Sequence, residues 1–284
     1  MTSWKRFRSA SPNASVSASS TIAWSFTASP SIAIAKPSRL LVALRLAAVA
    51  GLFLVLAPLH IASTRLFRRS PWPPRFLGAV AWLVGARIRR EGADARPHTL
   101  LVGNHTSWLD ILVLSGATGC AFVSKDELGH GFIHWLADQN ATVYVKRGHV
   151  KGAKDQAVAI ARALDGDKPV ALFPEGTTGP GTHLLPFRST LLEAANYAGK
   201  DVEIRPVAID YGDAAAEVGW WEEPGKANVL RILGRRGILP VTVKLLAPLN
   251  RSGDRKQLAA AARNAIGEAL GLTLRSHSPI SGEK

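Results

Sequence analysis

The sequence contains one cysteine, Cys120, among 284 residues. A single thiol cannot form an internal disulfide or a thiolate metal cage, and we predict neither a metal site nor a tightly bound cofactor. Hydrophobic residues make up 47% of the chain, which is enough for a packed core. The length fits one domain with an appendage.

Acidic residues are absent from positions 1–90, a segment that contains 13 lysines and arginines. The remaining 194 positions contain 22 basic and 21 acidic residues, so the formal charge of +14 is almost entirely N-terminal. Nucleic-acid-binding proteins more often carry their basic patch on the folded domain. Basic residues beside an apolar segment are instead attracted to an anionic leaflet by about 1 kcal/mol each. We therefore predict membrane lipids as partners and no nucleic acid.

Residues 1–38 are rich in Ser, Ala and Thr. This composition is typical of a disordered tail and superficially of an organelle transit peptide, and a misassigned start codon would also explain it. We predict no fold for this segment.

Residues 46–62 form the longest uncharged apolar run, which extends over Leu40–Ala62 if Arg45 reaches towards the lipid headgroups. Because a spanning helix needs about 20 residues, the run predicts a membrane-anchoring helix near the lower limit of length. A buried core helix is the alternative. Seven arginines follow between positions 65 and 90, so the positive-inside rule predicts a cytoplasmic location for residues 63–284.

A second apolar run, Phe76–Ala86, is too short to span a bilayer and carries aromatic residues typical of the headgroup region. The predicted organisation follows from these segments. It comprises a disordered or targeting-like tail (1–38), a membrane-anchoring helical segment (39–90), the main folded domain (91–274) and a flexible tail (275–284).

From Thr99 onward, short apolar runs alternate with amphipathic segments, which predicts an α/β domain whose mostly parallel sheet is flanked by helices. The predicted strands are Leu100–Val102, Ala121–Ser124, Thr142–Val145, Val170–Phe173, Ile204–Ile209 and Val241–Leu246. The predicted helices include Gly152–Leu164, Ser189–Ala198 and Asp254–Leu270.

A His-x4-Asp motif, His105 to Asp110, follows the first of these strands. Positions five apart differ by about 140° around a regular helix, so the two side chains can meet only if His105 precedes the helix. Thr106 or Ser107 at the N-cap would produce that arrangement. Asp110 would then fix the imidazole tautomer and leave the other ring nitrogen basic. The alternative is a capping box, Ser107-x-x-Asp110, with His105 as an ordinary loop residue.

Two segments, Asn104-His105-x4-Asp110 and Phe173–Thr177 (Phe-Pro-Glu-Gly-Thr), together resemble the glycerolipid acyltransferase family. That family includes bacterial 1-acylglycerol-3-phosphate acyltransferases and lyso-ornithine lipid acyltransferases. The similarity covers roughly residues 100–246, in four motif blocks that stand in the family's order. It implies an O-acyltransferase of phospholipid biosynthesis at the bacterial inner membrane, with its catalytic domain on the cytoplasmic side.

The second block ends in Lys146 and Arg147, where the family usually has an acidic residue before the arginine. The guanidinium of Arg147 suits a phosphate or carboxylate head group, and Lys146 adds a cation that favours an anionic acceptor. A solvated strand end is the alternative interpretation.

The third block supplies further candidate substrate-binding residues. The resemblance implies that Glu175 and Gly176 position the acceptor, with the Thr177 hydroxyl beside them. Glu175 is expected to bond an acceptor hydroxyl or to pair with Arg147. Arg188 fits a family pattern downstream and is a second candidate for a head-group contact.

The hypothesis that follows is direct acyl transfer from acyl-ACP or acyl-CoA to a lysophospholipid, first of all 1-acylglycerol-3-phosphate, with His105 as base. Loop amides near Gly176 or after His105 are candidates to stabilise the oxyanion. Lyso-ornithine lipid is an alternative acceptor. A lipid-ester hydrolase and a noncatalytic scaffold that binds anionic lipids are the remaining alternatives.

Overall fold

The computed structural model describes residues 36–125, 131–145, 152–198, 201–250 and 254–272. The tails predicted at the two ends fall almost entirely outside these residues. In chain order the elements are α1 (Arg39–Phe67), α2 (Trp72–Leu83), β1 (Ala86–Glu91), β2 (Thr99–Gly103), α3 (Leu109–Thr118), β3 (Ala121–Lys125), α4 (Phe132–Gln139), β4 (Val143–Val145), α5 (Gly152–Leu164), β5 (Val170–Leu172), α6 (Ala194–Tyr197), β6 (Glu203–Asp210), α7 (Ala215–Val218), α8 (Gly225–Gly234), β7 (Leu239–Leu245) and α9 (Arg255–Ala269). Short 3₁₀ turns occupy Ser189–Glu193 and Gly212–Ala214.

Seven described strands form one sheet in the order β1-β7-β6-β2-β5-β3-β4. Neighbouring strands are parallel except β6 and β7, so β1 and β7 run against the other five. The predicted α/β fold with a mostly parallel sheet is confirmed, and each of the six predicted strands is present. The sequence did not predict β1, which lies almost wholly within the range assigned to the membrane-anchoring segment.

Helices cover both faces of the sheet, which is why its central strands have nearly continuous apolar sequences. Side chains of successive strand residues point to opposite faces. Leu101 of β2 therefore packs with α2, α3 and α8, whereas Leu100 packs with α5, α6 and α9. Each face has its own apolar core, and the strand ends between them position the polar loops.

Helix α1 lies along the domain with one face covered and the other exposed. The covered positions recur every three or four residues, as expected for one face of a helix, and they are Leu41, Val42, Arg45, Val49, Leu52, Phe53, Leu56, Ala57, His60 and Ser63. Leu40, Leu54 and Val55 are among the exposed residues of the opposite face. A helix that is apolar on its exposed face as well is typical of contact with lipid.

The guanidinium of Arg45 binds protein instead of extending towards headgroups. Its Nη1 donates to the carbonyls of Ile232, Leu233 and Arg235 at 3.2, 2.9 and 3.0 Å, at the C-terminal end of α8. The last carbonyls of a helix have no partner within it and carry a partial negative charge, which a cation offsets. Arg45 thus joins α1 to the domain.

Helices α2 and α3 approach each other at a pair of glycines. A Cβ atom added to Gly116 would lie only 2.6 Å from the Cα of Gly78. Only glycine at both positions allows the two backbones to come this close. The second apolar run of the sequence is therefore a helix packed directly against α3.

Candidate active site

Three strands end at the same edge of the sheet and carry the motif residues. His105 follows β2, Glu175 follows β5, and Tyr211 follows β6. β2 pairs in parallel with both neighbours, so the three carboxyl ends lie side by side. This edge is where open α/β sheets place their ligand sites.

The contact between His105 and Asp110 that the spacing predicts is present. Imidazole Nδ1 lies 2.9 Å from Asp110 Oδ2, and the carboxylate is fully buried while the imidazole is partly exposed. An ionised carboxylate can only accept, so Nδ1 carries the proton and Nε2 is left as the basic nitrogen. No described residue makes a hydrogen bond to Nε2.

The helix after His105 begins later than expected. It starts at Leu109, and Trp108 occupies the N-cap position without a side-chain bond, so neither Thr106 nor Ser107 is the N-cap. Instead, Ser107 Oγ accepts from the Leu109 amide at 3.1 Å.

Asp110 also organises the loop before this helix. Its Oδ2 accepts from the amides of Thr106 and Ser107 at 2.6 and 2.9 Å, in addition to the imidazole. The bond to the Ser107 amide is the one that a capping box would supply. The histidine–carboxylate pair and the capping box are therefore compatible, because the Asp110 carboxylate binds both the imidazole and the Ser107 amide. The Thr106 and Ser107 amides are occupied within the protein, as is that of Gly176, which donates to the Phe173 carbonyl.

Tyr211 completes the environment of Asp110 and was not assigned a role from the sequence. Its hydroxyl donates to Asp110 Oδ1 at 2.6 Å, and both side chains are buried. Burial, together with the charge of Asp110, raises the pKa of the Tyr211 phenol well above its usual value, so the hydroxyl keeps its proton. Tyr211 ends the fourth motif block, Arg205–Tyr211, which the sequence indicated only as a buried strand.

Asn104 fastens the motif loop to the neighbouring strand. Its amide nitrogen donates to the Ile209 carbonyl at 3.1 Å, and its Oδ1 accepts from the Ile209 amide at 2.8 Å. The side chain thereby continues the hydrogen-bonding ladder between β2 and β6 beyond the end of β2. This pairing holds the start of the His105 loop beside the end of β6, from which Tyr211 projects.

The buried carboxylate of Glu175 joins two loops through backbone hydrogen bonds. Its Oε1 accepts from the His105 amide at 2.8 Å and its Oε2 from the Leu185 amide at 2.9 Å, so both oxygens are engaged by backbone. Burial raises the pKa of the Glu175 carboxyl to about 7, against the opposing effect of these two amides. These two backbone contacts were not predicted from the sequence, and the expected partner Arg147 lies outside the described residues.

The remaining third-block residues form an exposed turn. Gly176 has a φ of +72°, a backbone conformation that residues other than glycine rarely adopt. The guanidinium of Arg188 lies over this glycine. A Cβ atom added to Gly176 would be 3.4 Å from the guanidinium, which is van der Waals contact. Thr177 and Arg188 are both exposed beside this turn. Lys146 and Arg147 lie outside the described residues.

Phe173 supports the imidazole from one face. The two rings are stacked, with centroids 4.2 Å apart and planes 8° from parallel. The Gly179 amide donates to the His105 carbonyl at 2.8 Å, which fixes the backbone as well. The ring and main chain of His105 are thus held by the block that follows β5, seventy positions along the chain.

The arrangement can remove a proton from a hydroxyl group. A neutral imidazole whose Nδ1 proton is held by a buried carboxylate presents Nε2 as a general base, and the carboxylate stabilises the imidazolium that forms. Asp110 keeps its own position through four hydrogen bonds, from His105, Thr106, Ser107 and Tyr211.

Comparison with known proteins agrees with this chemistry. A family model described as Acyltransferase matches residues 87–210. The chain is 32% identical over 249 residues to a lyso-ornithine lipid O-acyltransferase of Rhodobacter capsulatus, an alignment that covers 81% of this chain and 90% of that one. It is 32% identical over 138 residues to a 1-acyl-sn-glycerol-3-phosphate acyltransferase of Neisseria gonorrhoeae, covering 48% and 53%.

The fold has a solved counterpart. The crystal structure of the 1-acyl-sn-glycerophosphate acyltransferase of Thermotoga maritima matches with a TM-score of 0.58 at 20% identity, covering 83% of this chain and 98% of that one. The chain belongs to the acyltransferase family, and it is an enzyme of the O-acyltransferase type.

Proposed function

We propose that this enzyme transfers a fatty acyl group from a thioester donor to the free hydroxyl of a lyso-lipid acceptor, with His105 as the general base. The observation that carries the proposal is the 2.9 Å bond from His105 Nδ1 to the buried carboxylate of Asp110, which leaves Nε2 for the substrate.

The reaction is a single displacement. Nε2 of His105 takes the proton of the acceptor hydroxyl as its oxygen attacks the thioester carbonyl. The tetrahedral intermediate collapses with cleavage of the carbon–sulfur bond, and the imidazolium returns the proton to the leaving thiolate. The products are an ester and a free thiol, so protons and electrons balance without a further reactant.

Neither Ser107 nor Cys120 is suited to carry the acyl group as a nucleophile, which supports transfer without an acyl-enzyme. Ser107 is fully buried and its hydroxyl accepts a hydrogen bond from the Leu109 amide. Cys120 precedes β3, at the sheet edge opposite to His105, and burial raises the pKa of its thiol to about 12. A thiol with so high a pKa is a poor nucleophile.

We propose lyso-ornithine lipid as the first acceptor to test. The relative named for that activity aligns with 81% of this chain and 90% of its own length, whereas the relative named for 1-acylglycerol-3-phosphate aligns with about half of each.

The second candidate acceptor is 1-acylglycerol-3-phosphate, giving phosphatidic acid. The cations Lys146, Arg147 and Arg188 favour it, because a phosphate monoester is a stronger partner for several cations than a carboxylate is. We propose Arg188, Gly176 and Thr177 as the lining of the head-group site, with Lys146 and Arg147 as further contacts. Glu175 joins this site as a proposed contact for the acceptor hydroxyl, and it also holds the His105 backbone.

Assays with purified enzyme in mixed vesicles decide between the acceptors. Lyso-ornithine lipid and 1-acylglycerol-3-phosphate would be offered separately with acyl-ACP or acyl-CoA, since the donor is either of these. We expect ester product with lyso-ornithine lipid and its loss in His105→Ala. Product with neither acceptor, or release of fatty acid without an acceptor, would refute the proposal and, in the latter case, indicate a hydrolase.

We propose further that α1 lies within one leaflet of the bacterial inner membrane, on the cytoplasmic side. By length and hydropathy α1 is the described helix that qualifies to cross a membrane. Yet Arg45 binds the end of α8, while His60 Nε2 lies 2.9 Å from Gln139 of α4. These contacts are about 22 Å apart along the helix axis. A helix bound at both points to one domain runs along that domain, and its exposed apolar face then lies in lipid parallel to the surface.

A further inference from the structure

The first turn of α4 exposes a group of large apolar side chains. Phe132, Ile133 and Trp135 are 56, 62 and 37% exposed. Exposed apolar side chains so close together usually mark a surface that contacts a partner or a membrane. The acyl-transfer chemistry described above makes no use of these residues.

This group is continuous with the lipid-facing helix. The ring of Phe53 on α1 lies 5.0 Å from that of Phe132 and 6.0 Å from that of Trp135, both edge to face. Leu54 and Val55, the next residues of α1, are 71 and 61% exposed. The exposed surfaces of the two helices therefore adjoin around Phe53.

The opposite side of α4 is polar and faces the protein. His134 stacks on Tyr144 with ring centroids 4.4 Å apart, and the Tyr144 hydroxyl donates to Asp138 at 2.8 Å. His134 and Asp138 thus lie on the side of the helix next to β4, and Phe132 and Trp135 on the side next to α1. This division is expected for a helix at a lipid–water interface.

The position of α4 relates it to the reaction. α4 follows β3, which is aligned with β2 through β5, so its N-terminal turn lies towards the carboxyl edge of the sheet, where His105 is. Substrate and product of a lyso-lipid acyltransferase both reside in the bilayer. An apolar element at that edge brings the lipid surface to the side of the domain where the acceptor must enter.

We propose that the N-terminal turn of α4, through Phe132, Ile133 and Trp135, inserts into the same leaflet as α1. Its partner is the acyl region of the bilayer. A bilayer is favoured over a second copy of the chain because the surface continues directly into the exposed face of α1. The proposal rests on membrane attachment through α1, and it does not depend on the identity of the acceptor.

Site-specific fluorescence tests the insertion, because the chain has one cysteine, which is buried. Ile133→Cys would be labelled with the environment-sensitive dye NBD, and Tyr197→Cys, on α6 across the sheet, is the matched control. Both full-length proteins are placed in nanodiscs at one chain per disc, with lipids carrying a doxyl quencher midway along the acyl chain. We expect at least twofold quenching at position 133 and none at position 197.

Two results would overturn the proposal. In the first, aqueous iodide quenches the label at position 133 as strongly as at position 197 while doxyl lipid has no effect. In the second, the label is shielded only in vesicles crowded with protein and not in single-chain discs, which identifies a second copy as the partner.

A functional experiment complements the labelling. Phe132→Ser combined with Ile133→Ser should raise KM for a vesicle-embedded acceptor about tenfold, because two apolar anchors are lost. The kcat for a short-chain, water-soluble acceptor should stay unchanged. An equal loss with both acceptors would indicate a disturbed fold and contradict a role in membrane contact. If the wild-type enzyme acylates neither acceptor, the proposed function fails while the labelling result stands.

Discussion

The hydroxyl of Tyr211 and the carboxylate of Asp110 are 101 positions apart in sequence and 2.6 Å apart in the fold. The Tyr211 hydroxyl donates to Asp110 Oδ1, while the imidazole of His105 donates to Oδ2. Two strand ends therefore share one carboxylate. Asp110 is held from both sides, and Tyr211 is a positioning residue that acts on the base through Asp110.

Replacing Tyr211 with Phe should lower kcat about tenfold, since a hydrogen bond to a buried charged group is worth about 1.5–3 kcal/mol. Without the phenol, Asp110 carries more uncompensated charge and favours the imidazolium. The acidic limb of the pH–rate profile should consequently move to higher pH. Steady-state kinetics across that limb, with Tyr197→Phe as a control, measure both effects. A profile superimposable on that of the wild type would show that Tyr211 is merely structural.

Replacing His105 with Ala should reduce turnover about a thousandfold or more while leaving the melting temperature nearly unchanged. Asp110→Asn should reduce both, because the amides of Thr106 and Ser107 also lose their charged acceptor, at a cost of about 2 kcal/mol. Parallel measurement of kcat and thermal unfolding separates the two cases. Substantial turnover by a folded His105→Ala enzyme would exclude its role as base.

Glu175 should make the stability of the protein depend on pH. Burial raises its pKa from 4.5 to about 7, so the folded state binds the proton more tightly than the unfolded state does. The stabilisation from protonation is complete below pH 4.5 and is lost as the pH rises through about 7. At about 1.4 kcal/mol per pKa unit, the stabilisation amounts to at most about 3.5 kcal/mol.

The variant Glu175→Gln removes this titration. Its melting temperature relative to that of the wild type should therefore rise between about pH 5 and pH 8. Glu268→Gln, at an exposed position on α9, is the control and should show no such trend. A constant difference between Glu175→Gln and wild type across this range would contradict a buried, proton-binding Glu175.

Replacing Arg45 with Leu should lower the free energy of unfolding by about 2 kcal/mol, because three carbonyls at the end of α8 lose their donor. Binding to vesicles should not weaken, since α1 becomes more apolar. Thermal unfolding and vesicle flotation measure the two quantities, with exposed Arg39→Leu as the matched control. Weaker flotation of Arg45→Leu with unchanged stability would favour a headgroup contact instead.

Much of the sheet was predictable because buried parallel strands leave a simple record of short apolar runs. β1 was missed since its three arginines interrupt such a run, which an edge strand tolerates because it pairs on one side only, with β7. The short helix α4 was missed as well. Its eight residues are fewer than those of each helix predicted from the sequence.

The site was predictable where its contacts are local. The spacing of His105 and Asp110 restricts them to one geometry, and the motif resemblance identified the block that packs on them. Contacts between distant strands have no fixed spacing in the sequence, so the roles of Tyr211 and Asn104 were found only in the structure. The backbone contacts of Glu175 were not predictable either, because the two amides that its carboxylate binds come from distant parts of the chain.

The glycine pair between α2 and α3 has a mechanical consequence. With Gly78 and Gly116 in backbone contact, no layer of side chains remains through which the two helices could slide. Asp110, in the first turn of α3, therefore keeps a fixed position relative to α2. With α2 at the membrane surface, as its sequence predicts, we expect the acceptor hydroxyl to reach His105 only at one set distance from the bilayer.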